Sequence, residues 1–308
     1  MGSESKQVVL FGRRTAGNYG DDVAPTAAML VSSISHTPMA GSTVARNNYK
    51  GFKGNSGSLA STNWQELSFE IELASSGTPG VAPAYADLLR CCGFAEVLTA
   101  VTSAVYNPID SGEDDGTAYY YYDNVLHKMR GVRGSVELAL DLGGLWKLKF
   151  KLLGLYDDAA TGTPAGIDFS AFTKPLVANS QTITSFSFFG VSTLKMTNLS
   201  LNPGISVNHF DATNQEEIEL SERTGTLSTT LREPDLATKN FFAETRTGTE
   251  GAMAIQLGNV AGAIVKVDVP NIQLTGTSRG ADKGKSNLTI TGDIVPLTAG
   301  SDFTVSLM

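Results

Sequence analysis

The side chains best suited to chemistry in this chain are spaced so that they do not cooperate. Ser56 lies in the run GNSGS at 54–58, which imitates the turn of a catalytic serine. A nucleophilic serine needs a strand-to-helix elbow and a base in reach. Ser56 instead falls in a polar, glycine-rich stretch, and no histidine has a matching context. His36, His127 and His209 are far apart in the sequence and read as isolated, so neither a proton relay nor a metal site is expected. Asp110, Glu113, Asp114 and Asp115 offer oxygens to calcium but lack the fixed glycine and closing acid of an EF-hand loop. They read as a solvated acidic turn. Cys91 and Cys92 are neighbours in a predicted helix, where successive side chains diverge by about 100° and strain a disulfide. They read as small buried apolar residues. Four consecutive tyrosines, Tyr119 to Tyr122, could stack bases. Alternation leaves only two on any face, so a core strand explains them better. Arg13 and Arg14 are offset by Asp21 and Asp22. No catalytic residue, metal or cofactor is expected, and the chain does not read as an enzyme.

Composition narrows the class. A chain of 308 residues with 41% hydrophobic and 18% charged residues is a folded protein with room for two cores. Its net charge of -8 is shared evenly: residues 1–160 hold 13 Lys and Arg against 17 Asp and Glu, and residues 161–308 hold 10 against 14. Neither half is a basic nucleic-acid module. No run approaches the roughly 20 apolar residues of a membrane-spanning helix. The N-terminal residues lack the basic start and apolar core of a signal peptide, so a cytoplasmic site of synthesis is expected.

The elements around these residues read mainly as strands. Strand signals run over 66–73 and 145–155, with strict alternation at 66–73 and 147–152. Lys147, Lys149 and Lys151 form one face against Trp146, Leu148, Phe150 and Leu152, while Glu66, Glu70 and Glu72 oppose Leu67, Phe69, Ile71 and Leu73. Shared sheet membership would pair these charges across a wet face. That face could be simply solvated or could meet another chain. Both tryptophans, Trp64 and Trp146, read as core residues. Three segments break the strand pattern: 36–62, 107–118 and 157–180. The first is a long loop carrying Arg46, Tyr49, Lys50, Phe52 and Lys53, and loops of that length are usually functional or disordered.

An order of elements recurs. A strand at 64–73, a helix at 83–92 and a strand pair at 126–140 and 145–152 are followed in the same order by 224–231, 234–244, 263–269 and 286–294. The pattern predicts two tandem β units with one short flanking helix each. The expected divisions are an N-terminal arm at 1–27, a first unit at 28–157, a linker at 158–180 and a second unit at 181–308.

The blocks WQELSFEIELA at 64–74, PAYADLLRCCGF at 83–94, GVRGSV at 131–136, KLKFKLLG at 147–154 and NLTITGDI at 287–294 resemble major tail tube proteins of long-tailed, siphophage-like bacteriophages. The resemblance runs over about 28–300. It implies β-sandwich or barrel-like units that form rings and stack into the conduit for phage DNA ejection. Combined with the repeat, it implies a homotrimeric ring with pseudo-sixfold symmetry. The implied partners are further copies of the chain, a tape measure protein, a tail terminator and a distal tail protein, with DNA passing unbound and no membrane contact. The implied location is the virion tail, after assembly in the host bacterial cytoplasm. It also makes 36–62 a candidate inter-ring loop, anchored by Arg46, Tyr49, Lys50, Phe52 and Lys53; a loop ordered only by its own subunit is the alternative. Within the class the rival is a single-ring terminator or distal adaptor. Outside it, the rival is a carbohydrate-binding β-sandwich or adhesin.

Overall fold

The computed structural model describes residues 6–164 and 166–308. The first half contains β1 (Gln7–Arg13), β2 (Ala28–Met29), β3 (Ser32–Ala45), β4 (Ser58–Glu72), helix α1 (Ala86–Cys91), β5 (Phe94–Thr99), β6 (Ser103–Pro108), β7 (Gly116–Tyr122), β8 (Val125–Ala139) and β9 (Lys147–Tyr156). The short β10 (Ala160–Thr161) follows. The second half contains β11 (Ile183–Phe188), β12 (Met196–Asn202), β13 (Ile205–Ala212), β14 (Gln215–Arg223), β15 (Thr226–Arg232), helix α2 (Phe241–Thr247), β16 (Glu250–Leu257), β17 (Val265–Asp282), β18 (Lys285–Ile294) and β19 (Thr304–Leu307). With 54% of residues in strands and 4% in helices, the protein is mainly β.

The alternating sequences build the expected sheet. On β4 and β9, Leu67, Phe69, Ile71, Leu148, Phe150 and Leu152 are all buried on one face. On the other, Lys147 Nζ lies 2.8 Å from Glu70, Lys149 3.8 Å from Glu137 and Lys151 3.7 Å from Glu66. Each lysine is at least one-third exposed, so these pairs contribute only tenths of a kcal/mol, about 0.2–1 each. The tyrosine strand is buried on one side and covered on the other: Tyr120 joins the main core, and Tyr119 and Tyr121 pack with Leu10, Ala28 and Leu126.

Strand pairing has the same order in both halves. The first half pairs antiparallel as β3-β4-β9-β8-β7-β1 and the second as β12-β15-β18-β17-β16-β11. The chain visits matching strands in matching sequence, with α1 before β7 and α2 before β16. Even a bulge recurs. Gly116 pairs with Val132 and Ala118 with Met129, while Gly251 pairs with Ile272 and Met253 with Val269. A glycine is needed at both places. A Cβ on Gly116 would lie 2.6 Å from the Gly12 carbonyl oxygen, and one on Gly251 2.5 Å from the Phe189 ring. Gly116→Ala is expected to cost about 1–3 kcal/mol, the usual range for overpacking against backbone that cannot yield. Denaturant unfolding of the variant checks this, and a loss below about 0.5 kcal/mol, the range of a neutral surface change, would count against it.

The halves interlock. Strand β19 pairs with β17 on one edge and with β6 on the other, and the end of β8 pairs with β12. One contiguous apolar core runs through both. Residues 7–13, placed in the N-terminal arm by the sequence reading, are β1 and pair with β7 along all seven positions. Within 158–180, β10 pairs with β8, Leu145 bridges to Val177 and Ala178 is fully buried. Both helices are shorter than their sequences suggested. Helix α2 begins seven residues after Pro234, where the Asn240 side chain accepts the Ala243 N–H at 3.1 Å and outranks the proline as a start signal, and it ends at Gly248 in the left-handed region.

Candidate functional site

Segment 36–62 is a β-hairpin, which corrects the expected long loop. Strands β3 and β4 pair from Ser32↔Glu70 to Ala45↔Ser58, leaving only 46–57 as a tip. Serine, threonine and glycine hid these strands, because neither face of the shaft is buried and no apolar alternation is required. Glycine is required at one point of the shaft: Gly41 has a φ of +151, and a Cβ there would overlap the Thr62 carbonyl. The tip is closed by Arg46 N–H to the Gly57 carbonyl at 2.9 Å. Lys50 Nζ donates to the Asn55 carbonyl at 3.1 Å, and the Ser56 hydroxyl to the Asn48 carbonyl at 3.2 Å. All five residues singled out from the sequence, Arg46, Tyr49, Lys50, Phe52 and Lys53, gather in this tip and are exposed. Tyr49 is 106% and Phe52 72% accessible, with Val44 and Leu59 paired below them and also open. The segment carries three cations and no acid. Such a projection of aromatic and cationic side chains is suited to a protein partner.

A second hairpin shows how such an arm is used. Strands β13 and β14 leave the sheet at the corresponding place, between β12 and β15, and close in a two-residue turn with Asn214 at a φ of 68. This hairpin lies on the outer face of the first half. Ile218 is buried against Leu153 and Leu155. The His209 ring stacks on Trp64 with centroids 4.9 Å apart. Trp64 is therefore on the outer face with Glu66, not in the core, while Trp146 is fully buried as expected. Tyr19 ties the contact: its hydroxyl donates to the Gly131 carbonyl at 2.6 Å and accepts the Ile218 N–H at 2.7 Å. Burial pushes the Tyr19 phenol up to about 12, so it stays a neutral donor. Arg133 donates to the Ile218 carbonyl at 2.8 Å and sits 5.1 Å from the Tyr19 ring centre. Sequence reasoning missed Tyr19, Arg133 and Ile218 because the contact joins residues far apart in the chain. The only local signal was the apolar run at 152–155, which breaks the lysine alternation.

The expected acidic turn is an ion-pair web. Asp115 is fully buried and paired with Arg14, Asp114 accepts from Arg90 at 2.8 Å, and Arg13 donates to Asp87 at 3.0 Å. Arg223, at the base of the second hairpin, reaches Asp110 at 2.7 Å and Asp302 at 2.9 Å. Solvation of that turn is thus corrected, because Arg13 (also 3.6 Å from Asp114), Arg14, Arg90 and Arg223 all ion-pair with its carboxylates. The isolation of the histidines is corrected as well. Rings of His36 and His127 lie 4.6 Å apart, brought together by β3 and β8 flanking the buried Gln65. His36 Nε2 and Gln65 Oε1 are 3.2 Å apart, and Gln65 in turn donates to the Lys128 and Asp157 carbonyls. Burial, outweighing the Gln65 bond, lowers His36 to about 4, and His127 shifts in the same direction. A lowered imidazole means the unfolded chain binds more protons below its ordinary pKa. His36 therefore contributes stability above about pH 6.5 that is lost as pH falls toward about 4. Urea unfolding across that window is expected to show a shallower acid loss in His36→Gln than in the native chain; equal slopes would contradict it.

Cys91 and Cys92 are free and fully buried, and burial raises both thiols. Among the described residues no group of three or more His, Cys, Asp or Glu side chains is placed to hold a metal ion, and no helix is long and apolar enough to cross a membrane. No protein-family model and no curated protein matches the chain.

Proposed function

We propose that the chain is the major tail tube subunit of a siphophage-like virus, a structural virion protein that polymerises into stacked rings around a conduit for DNA. The observation that carries this reading is the two hairpins. Each half of the chain projects one from the same place in the same strand order; one is docked within the chain, and the other is exposed with its aromatic and basic tip open. An arm that is seated in one half and vacant in the other fits a protein that completes its contacts with copies of itself. Heterologous contacts of that kind build rings and filaments.

Two units per chain fit a trimeric ring with pseudo-sixfold symmetry. The net charge of -8 suits a tube through which a polyanion slides without being held. The exposed tip, with Arg46, Tyr49, Lys50, Phe52 and Lys53, is the joint between rings. Tape measure, terminator and distal tail proteins would meet the ends of the tube. A saccharide-binding role is less well supported, because neither tryptophan forms an open platform.

Negative-stain microscopy of the purified, concentrated protein tests the reading. Long tubes are expected. Isolated rings would reassign the chain to a tail end, and monomers that also fail to add to purified tail tips would overturn the proposal.

A further inference from the structure

One of the joints between the halves of one chain, that of β8 with β12, has two surfaces, and the counterpart of each is an unpaired edge in the opposite half. The end of β8 runs along β12. Leu138 pairs with Leu201 and Ala139 with Ser200, the Leu140 N–H donates to the Leu199 carbonyl at 2.8 Å, and the Leu142 N–H to Thr197 at 3.1 Å. Ser200 Oγ adds a bond to Glu137 at 2.9 Å. In the shared strand order, β8 corresponds to β17 and β12 to β3.

Register extends that correspondence to single residues. Arg133↔Leu153 and Gly134↔Leu152 in the first half match Gln273↔Asp293 and Leu274↔Gly292 in the second. Further along, Leu138↔Leu148 and Ala139↔Lys147 match Arg279↔Leu288 and Gly280↔Asn287. On the other strand, Ser35↔Ser68 and His36↔Leu67 match Ser200↔Ser228 and Leu201↔Leu227. Gly280 and Ser35 are thus the counterparts of Ala139 and Ser200. Among the described residues, β3 pairs only with β4, and β17 beyond Gly276 only with β18. Residues 278–282 are exposed throughout, and Ser32, Ser33 and Ser35 are exposed on β3. Open edges of this kind are templates for another strand.

We propose that the joint repeats between copies: β17 of one copy, along 278–282, adds antiparallel to β3 of the next, along 33–37, with Gly280 opposite Ser35. The occupant of each edge is a second copy of this chain. The same displacement lays the β3–β4 shaft of the second copy over β17 and β18 of the first, as β13–β14 lies over β8 and β9. Over residues 36–62 the shaft carries no acidic residue to oppose Asp293, which is exposed there where the first half has the buried Leu153. The two-residue turn of the docked hairpin has no counterpart to the tip at 46–57, so that tip projects past the lateral contact. The inference rests on the reading of the chain as a ring-forming tail subunit.

Cysteine pairing tests it. Residues 140 and 142 carry the ladder bonds, so Ala139 and Ser200 face each other at a non-hydrogen-bonded position, where side chains are closest and a disulfide fits. Ser35→Cys and Gly280→Cys are made as separate proteins; a Cβ at Gly280 meets nothing within 4 Å, and the native thiols are buried. Ala139→Cys combined with Ser200→Cys serves as the control, closing a bridge within one chain. The oxidised mixture of the two single variants is expected to give a covalent dimer at least about ten times more abundant than either variant alone, the margin of a contact favoured by 1.4 kcal/mol. Particles that assemble without the mixed dimer would overturn this joint and leave the tube reading standing. A mixture that stays monomeric even with purified tail tips present would overturn both.

Discussion

Replacing residues 46–57 by a two-residue turn is expected to leave the chain folded and to stop it stacking. The tip closes on itself: its backbone bond joins Arg46 to Gly57, and its side-chain bonds run from Lys50 to Asn55 and from Ser56 to Asn48. Nothing in the core depends on it, so the melting temperature should change little. Association should change a great deal. Tyr49 and Phe52 are the most exposed aromatic side chains of the chain, and aromatic anchors lost from an interface typically cost about 2 kcal/mol or more each. Two such losses raise the critical concentration for tube growth by about a thousandfold. Rings held by the edge joint should survive, so electron micrographs should show rings without tubes. Normal tubes from the shortened chain would mean that the tip is ordered for its own subunit alone.

Arg223→Ala is expected to destabilise the fold by about 3 kcal/mol. The Arg223 guanidinium binds Asp302 at 2.9 Å, Asp110 at 2.7 Å and the Ile109 carbonyl, and so ties the base of the second hairpin to a loop of the first half. The Asp302 side chain is 6% exposed. Removing its cation leaves a carboxylate buried without a partner, and broken buried pairs of this kind cost about 3–5 kcal/mol. Partial exposure of Asp110 places the estimate at the lower end. Urea unfolding of the variant measures it. Arg223→Ala combined with Asp302→Asn should recover part of the loss, and a double variant no more stable than the single one would show that the charge was not the cause.

Much of the architecture was legible in the sequence, and the reasons are local. Residues 66–72 and 147–152 alternate because one face is buried, and their charges indicated which strands lie side by side. The order of strand, helix and paired strands recurs in both halves of the structure. What escaped notice had no local signal. The β3–β4 shaft is a strand pair exposed on both faces, so it reads as a loop. The contact of Tyr19, Trp64, Arg133, His209 and Ile218 depends on the second hairpin folding back across the first half. The pairing of β6 with β19 crosses the chain from 104–106 to 305–307, and it binds the halves more closely than the expected linker suggested. The tip residues were found because Tyr49 and Phe52 among cations are out of place in a polar stretch. The histidine pair was missed because His36 and His127 meet only through β3 and β8.

Cryo-electron microscopy of assembled particles at a resolution that separates strands is the most direct measurement. A tube is expected in which each ring holds three chains, six matching sheets surround a central channel, and β17 of each chain continues into β3 of the next. Rings with one sheet set facing the channel and the other outside, or particles with no channel, would contradict the reading of this chain as a two-unit tube subunit.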